Sequence, residues 1–326
     1  MASPNSTYTE IVTSTLAHRS GEIADNVSVN VALLDRLKKK GNITLIPGGR
    51  TIVQELEYAE NSTFMRYSGY EQLNIAASDV FSAAEFNWKQ AATAVTMSGL
   101  EGLQNTGSDR VFALLKNRIK NAERTMANNI GADVYSTGTA SDSKQIGGLQ
   151  LIVADDPTSG TVGGISRSTY SFWRNKIFDI SSAGGSGTAS SSTIQGHMFS
   201  LYSQLTRNND APDLMVADNV YYGAYLASLQ TIQRITDDKM ASAGFISLKY
   251  MKSDVVLDGG AGGNCPASHM YMLNTNYLHF VSHSDRNFVP IGGERFSTNQ
   301  DASVSLLGWA GNMTCANCAL QGVMFH

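Results

Sequence analysis

Apolar and polar positions along the chain change period several times, and each change marks an element. Residues 1–25 are polar, rich in Ser and Thr and without a sustained period, which reads as an N-terminal arm lacking a core of its own. Val31, Leu33, Leu34 and Leu37 then fall on one side of a short helix. Lys38, Lys39 and Lys40 in its last turn offset the negative helix end, and Gly41 just beyond stops it. This helix and a connector fill 26–48. After the turn Pro47-Gly48-Gly49, Thr51–Tyr58 nearly alternates apolar and polar side chains, as in a strand covered on one face. Ser68-Gly69-Tyr70 signals another turn, and Val80–Met97, with Phe81, Phe86, Trp88 and Val95, reads as strand again. The span 49–100 is therefore expected to be an extended loop, a long β-hairpin with little core. Isolated hairpins are marginal in water, so this one must lie on something else.

The period then becomes helical. Val111, Leu114, Leu115, Ile119, Ala122, Met126 and Ile130 recur at three- and four-residue steps, with Arg110, Lys116, Lys120, Glu123 and Arg124 placed away from that stripe. A helix over about 108–130, roughly 33 Å long at ~1.5 Å per residue, follows. Thr106 or Ser108 is positioned to cap its start, and Gly131 or Gly138 to end it. Residues 136–192 lose periodicity apart from an aromatic island at Tyr170, Phe172 and Trp173, and Ser181–Thr193 is nearly all small residues, a linker. Ile194, Met198, Leu201 and Leu205 mark a further helix, Asp213–Ala217 a buried strand, and Val220–Leu229 a helix after it. Phe245–Met251, Val255–Leu257, Met270–Leu273, Leu278–Val281, Val304–Leu307 and Met313–Phe325 are strand-like. The fold class is α+β, without internal repeat or coiled coil.

Composition sharpens this picture in one respect. Charged residues make up 16 % of the chain against 42 % hydrophobic, and roughly 25 % charged is usual for soluble domains. A surface so short of charge suits a protein that buries its faces against neighbours. The net charge is −4 and the only run of like charge is Lys38–Lys40, so the clustered cations of a tight nucleic-acid binder are missing. The N-terminal residues lack the pattern of a secretory signal. No apolar run approaches the roughly 18–20 residues that span a bilayer. A soluble protein made in the cytoplasm, with no membrane partner, is the expectation.

Candidate chemistry is sparse. There is no G-x-S-x-G elbow, no phosphate-binding G-x-x-x-x-G-K-[ST], no G-x-G-x-x-G and no H-E-x-x-H. The glycine clusters Gly184-Gly185-Ser186-Gly187 and Gly259-Gly260-Ala261-Gly262-Gly263 lack the strand–loop–helix setting of a phosphate cradle and read as loops. Cys315-Ala316-Asn317-Cys318 is the best metal lure, and Cys265 with His269, or His279 with His283, would have to complete its four ligands. Free cysteines packed as small hydrophobes are the plainer reading. Asp155-Asp156 and Asp237-Asp238 are sequence neighbours, whose side chains point apart in either regular structure, so neither is an acid/base pair by spacing. Trp88, Trp173 and Trp309 are too dispersed for a carbohydrate platform. No catalytic, cofactor-binding or metal residue is therefore expected, nor an enzyme.

A set of ordered phrases resembles one family. They begin with Leu33-Leu34-Asp35-Arg36-Leu37-Lys38, Pro47-Gly48-Gly49-Arg50-Thr51-Ile52 and Leu56-Glu57-Tyr58-Ala59-Glu60-Asn61-Ser62-Thr63. Tyr67-Ser68-Gly69-Tyr70-Glu71, Ala83-Ala84-Glu85-Phe86-Asn87-Trp88-Lys89-Gln90 and Ser98-Gly99-Leu100-Glu101 follow. Gly163-Gly164-Ile165, Phe172-Trp173-Arg174-Asn175 and Asn299-Gln300-Asp301-Ala302 continue the series. In this the chain is similar to the major capsid (coat) proteins of tailed bacteriophages, with the Hong Kong 97-type fold, most densely over 30–130.

The resemblance implies a self-assembling subunit of the icosahedral head shell around double-stranded DNA, located in the virion. It implies an extended loop at 49–100 lying over a neighbouring subunit and a peripheral domain at 101–189 and 286–326 carrying a spine helix at about 108–130. An axial domain at 190–285 would stand at capsomer centres. Implied partners are further copies in hexamers and pentamers, a portal, a scaffold or protease, a decoration (cement) protein, and packaged DNA contacted non-specifically. Three alternatives stay open: an encapsulin-like nanocompartment shell, a metal-dependent enzyme using Cys315, Cys318 and His269, and a tail or receptor-binding protein.

Overall fold

Helix α1 (Ala32–Lys40) buries Leu33, Leu34 and Leu37 and ends at Gly41, whose φ of 76° is left-handed. The Gly41 and Asn42 N–H groups donate back to Lys38 and Leu37 at 3.0 and 2.9 Å. The lysines and glycine thus stop the helix as their order predicts. This is a computed structural model that describes residues 31–104, 108–182, 189–229, 247–259, 263–293, 295–296 and 301–326. The arm assigned to 1–25 lies outside the described residues.

Strand β1 (Ile43–Ile46) leads to an antiparallel hairpin of β2 (Ile52–Glu57) and β3 (Phe81–Phe86), with Ile52 opposite Phe86 and Glu57 opposite Phe81. Ile52, Leu56, Ala84 and Phe86 are buried, while Val53, Glu55, Phe81 and Glu85 face outward or lie at the rim. The period-2 alternation of 51–58 is therefore real. Strand β4 (Lys89–Ser98) leaves the hairpin and pairs along its whole length with β14 (Ala302–Cys315), from Lys89 against Gly311 to Ser98 against Ala302. Two bonds set this corner: Trp88 Nε1–H donates to the Gly49 carbonyl at 2.9 Å, and Asn312 Nδ2 donates to that of Asn87 at 2.8 Å. The hairpin ladder consequently ends at Phe86.

Next come α2 (Gly99–Gln104) and α3 (Ser108–Asp133), the latter 26 residues and thus roughly 39 Å long. In its second half Ile119, Ala122, Met126 and Ile130 face the core and Lys120 and Arg124 face out. Glu123, expected on the polar side, is buried. It sits one turn from both Ile119 and Ala127, on the covered face.

Two sheets organise the rest. One has the order β1, β12 (Leu278–Pro290), β14 and β13 (Arg295–Phe296), with β4 also on β14. The other is six-stranded and mixed: β7 (Lys176–Asp179), β15 (Gly322–Phe325), β11 (His269–Leu273), β8 (Leu214–Ala217), β10 (Ser253–Leu257) and β9 (Ser247–Tyr250). A small two-stranded ribbon, β5 (Thr161–Val162) and β6 (Ile165–Ser166), stands beside the hairpin. Helices α4 (Ile194–Leu205) and α5 (Asn219–Ser228) pack on the six-stranded sheet, α5 capped by Asp218, which accepts from the Tyr221 N–H at 2.9 Å.

Alternation along β8 explains why it is wholly buried. Met215 and Ala217 join Met198, Leu201 and Tyr225 beneath the helices. Leu214 and Val216 face the larger core built around α1, α3 and the five-stranded sheet. One sheet is thus shared by two cores. The C-terminal stretch Met313–Phe325 is split accordingly: β14 ends at Cys315, and β15 crosses to the six-stranded sheet, parallel to β7. Buried Gln321 holds that crossing by accepting from the Asn274 N–H at 2.9 Å and donating to the Asn274 carbonyl at 3.0 Å.

Candidate assembly interface

The hairpin strands are joined by residues 58–80, which hold no regular element. The arms are tied at the base, where the Tyr58 N–H donates to Val80 at 3.0 Å and the Tyr58 hydroxyl to the Asp79 carbonyl at 2.9 Å. Farther out, Ser62 meets the Ser78 hydroxyl at 3.4 Å, and the Ser68 N–H donates to the Glu71 carboxylate at 3.0 Å. Large apolar side chains crowd the distal part: Phe64 is 77 % exposed, Tyr67 65 %, Ile75 93 % and Tyr70 fully exposed at 108 %. Arg66 stacks over the Phe64 ring at 5.5 Å. Scattered exposed hydrophobics need no explanation, but this many on one segment makes it a candidate contact surface.

The base of the hairpin is clamped by the aromatic island. Tyr58 and Phe172 stack at 5.5 Å, with Tyr170 and Trp173 edge-on or tilted to Phe172. Trp173 Nε1–H donates to the Val162 carbonyl at 3.0 Å and the Glu85 N–H to that of Gly163 at 2.9 Å. Gly163 has φ 57°, and a Cβ there would meet the Ala84 methyl at 2.8 Å and the Phe86 ring at 3.0 Å. Glycine therefore lets the ribbon close on the hairpin. Between them runs an open groove lined by Tyr58, Asp79, Phe81, Glu85, Gly164 and Tyr170. Where β4 ends, Arg118 forks onto Glu101, at 2.9 and 2.6 Å. Hydrogen bonds from Arg118 and then Ser98 hold the Glu101 carboxyl at about 2.

The sequence-predicted chemical residues do not converge. Cys315 and Cys318 are both free and buried, and burial, followed by the Cys318 hydrogen bond, pushes the Cys315 thiol well up. Cys265 Sγ lies 3.7 Å from the His269 carbonyl; burial and then the Asp258 and Asp218 charges raise its pKa. His279 sits opposite Thr314 in the sheet, its pKa lowered by burial, and His283 lies edge-on to Trp88 at 5.4 Å. Asp155 pairs with His269 at 3.2 Å, whereas Asp156 accepts from Thr158 and Ser159. Among the described residues no group of three His, Cys, Asp or Glu could hold a metal. No helix among them is long and apolar enough to cross a membrane. Asp237, Asp238 and Gly184–Gly187 lie outside the described residues.

One cluster escaped the sequence reading. Arg36 on α1 meets Asp213 at 3.0 Å and Asp254 at 3.1 Å, Lys40 meets Asp213 at 3.0 Å, and Lys249 pairs with Asp254. Asp254 is 1 % exposed. Burial opposes the charge on Asp213, yet bonds from Thr275 and Lys40 outweigh it and leave its pKa low. These pairs lock α1 to the strands β8 and β10. The residues are far apart in sequence, and nothing in their local pattern reveals it.

Comparison with known proteins places the architecture. No protein-family model matches the sequence, and no curated protein matches it. Solved structures do. A chain of the cyanophage A-1(L) capsid asymmetric unit aligns with a TM-score of 0.62 at 15 % identity, over 87 % of this chain and 90 % of that one. A chain of the satellite phage P4 procapsid, which includes the size determination (Sid) protein, aligns at 0.52 and 11 %, over 94 % and 90 %. One from the capsid of a native GTA particle aligns at 0.52 and 11 %, over 89 % of each. The α+β fold, with its mixed sheets and helices, is thus capsid-like.

Proposed function

We propose that this chain is the major capsid protein of a tailed phage, tiling an icosahedral head around double-stranded DNA and performing no catalysis. The observation that carries the reading is the loop at 58–80, whose exposed Phe64, Tyr67, Tyr70 and Ile75 have no cover among the described residues. A capsid-like fold with such a loop makes sense when each copy is covered by the next. On this reading α3 is the spine helix of a Hong Kong 97-type peripheral domain, which also takes in the five-stranded sheet. The six-stranded sheet with α4 and α5 forms the axial domain, and the hairpin is the extended loop over a neighbouring subunit. Many modest, repeated contacts would stabilise such a shell. Portal, scaffold or protease, and decoration proteins are the proposed partners, the virion the proposed location, and contact with packaged DNA is proposed to be non-specific, as the net charge of −4 allows.

The test is negative-stain electron microscopy of the purified protein, expressed alone and with its neighbouring genes. Closed shells or capsomer-like rings are expected. Discrete small particles under every condition would overturn the proposal.

A further inference from the structure

We propose that the loop tip of one copy seats in the aromatic groove at the hairpin base of the adjacent copy, with Arg66 facing the carboxylates of Asp79 and Glu85. This rests on the shell reading above and adds the identity of the receiving surface.

The first observation is unbalanced charge. Arg66 is the one basic residue between Tyr58 and Val80. Its described contact is the Phe64 ring, and no carboxylate pairs with it among the described residues. Asp79 and Glu85 are exposed on the groove and likewise have no cationic partner there; the Glu85 side chain accepts from the Thr51 hydroxyl at 3.5 Å. Arg66, which shares the tip with Glu60 and the Ser68-bonded Glu71, and the two carboxylates without a cationic partner at the base are complementary across copies. Such complementarity sets register and suppresses wrong partners more than it adds affinity.

The second observation is matched apolar surface. Phe81, 70 % exposed, and Tyr170, half-exposed, stand at the groove, with the Tyr58–Phe172 stack beside them. Phe64, Tyr67, Tyr70 and Ile75 at the tip supply the large flat side chains that such a surface takes up. Among the described residues no tip side chain lines the groove of its own chain. The arms are held together by the Tyr58–Val80 and Ser62–Ser78 bonds, and Phe64, Tyr67, Tyr70 and Ile75 stay exposed. A contact that joins one surface to a different surface on the next copy is head-to-tail, and it closes into rings when the rotation allows.

The experiment uses the full-length chain with Arg66→Glu, with the pair Asp79→Lys and Glu85→Lys, and with all three changes combined. Shell yield is read by sedimentation and electron microscopy, and subunit folding by thermal melting. All three side chains are exposed, so melting should be unchanged. Each charge reversal should lower shell yield by at least about tenfold, and the combined variant should return to within about threefold of the unaltered chain. Unchanged yields in the reversals would overturn the proposal. So would a combined variant no better than its parents, the outcome expected if a scaffold or decoration peptide occupies the groove. If the unaltered chain forms no shells under any condition, the shell reading itself falls and takes this contact with it.

Discussion

His269 holds two acceptors at once: Nδ1 lies 2.7 Å from the Ala267 carbonyl oxygen and Nε2 3.2 Å from Asp155 Oδ2. A neutral imidazole carries a single N–H and cannot donate to both, so the geometry is that of the imidazolium. Burial alone would lower the ring's pKa. The bonds to Asp155 and Ala267 and the charges of Asp155 and Asp218 outweigh it and raise the pKa above 6.5. Tyr271 and Phe325 both stack near parallel to the ring, at 6.0 and 6.1 Å.

The pH dependence follows from that sign. A raised folded pKa contributes stability that is fully present below the unfolded value of about 6.5 and is lost as pH rises through the folded value. Asp155→Asn should therefore lower the His269 pKa, read by NMR titration of unassembled subunits. It should cost on the order of 1 kcal/mol near pH 5.5 and almost nothing near pH 9. An equal loss at both pH values would contradict the bridge.

Arg36→Ala should be more damaging than an ordinary surface change. It removes a cation from both Asp213 and Asp254, and Asp254 is buried. Lys40 and Lys249 still face those carboxylates, so the loss stays below the about 3–5 kcal/mol of an uncompensated buried charge, and urea melts should shift by about 1–3 kcal/mol. Asp213, with its lowered pKa, adds stability above about pH 4 that is lost as pH falls through its folded value. The gap between Arg36→Ala and the unaltered chain should accordingly narrow in acid.

Gly148→Ala tests the packing at the end of α3. A Cβ at Gly148 would drive into the backbone of Asp133, Val134 and Ser136, which have no free side-chain end to yield. The Leu149 N–H also donates to the Val134 carbonyl at 2.7 Å across this contact. Overpacking of this kind costs about 1–3 kcal/mol, read as a lower urea midpoint. Gly196→Ala, with open space around its Cβ on α4, is the control and should be neutral or stabilising.

Cys315 and Cys318 should be inert in the native subunit, being buried thiols whose chemistry nothing on the surface can reach. A thiol reagent near neutral pH should leave both unmodified until the chain is unfolded, when all three cysteines react. Rapid native-state labelling of the pair, or zinc co-purifying in stoichiometric amount, would reopen the enzyme alternative.

Much of the local structure was legible because it is written in short-range periods. Leu33, Leu34 and Leu37 followed by Gly41 specify α1, and the stripe from Ile119 to Ile130 specifies the second half of α3. The pairing of strands was not legible. Lys89–Ser98 looks like the return arm of a hairpin, but its partner is more than 200 residues away in β14. β15 belongs to the other sheet because Gln321 and Asn274 turn the chain there. The candidate surface divided the same way. Turn signals at Ser68–Tyr70 placed the loop, whereas the groove needs Tyr58, Asp79 and Tyr170 brought together by folding, and no local pattern encodes that meeting.

The most direct test of loop-mediated assembly is electron microscopy of the full-length chain beside a variant in which Glu60–Tyr70 is replaced by a short Gly-Ser turn, under identical conditions. The account predicts closed shells or capsomer rings for the unaltered chain. The variant should give only dispersed subunits, with a thermal melt within about 2–4 °C of the parent. Normal shells built from the shortened chain would contradict it.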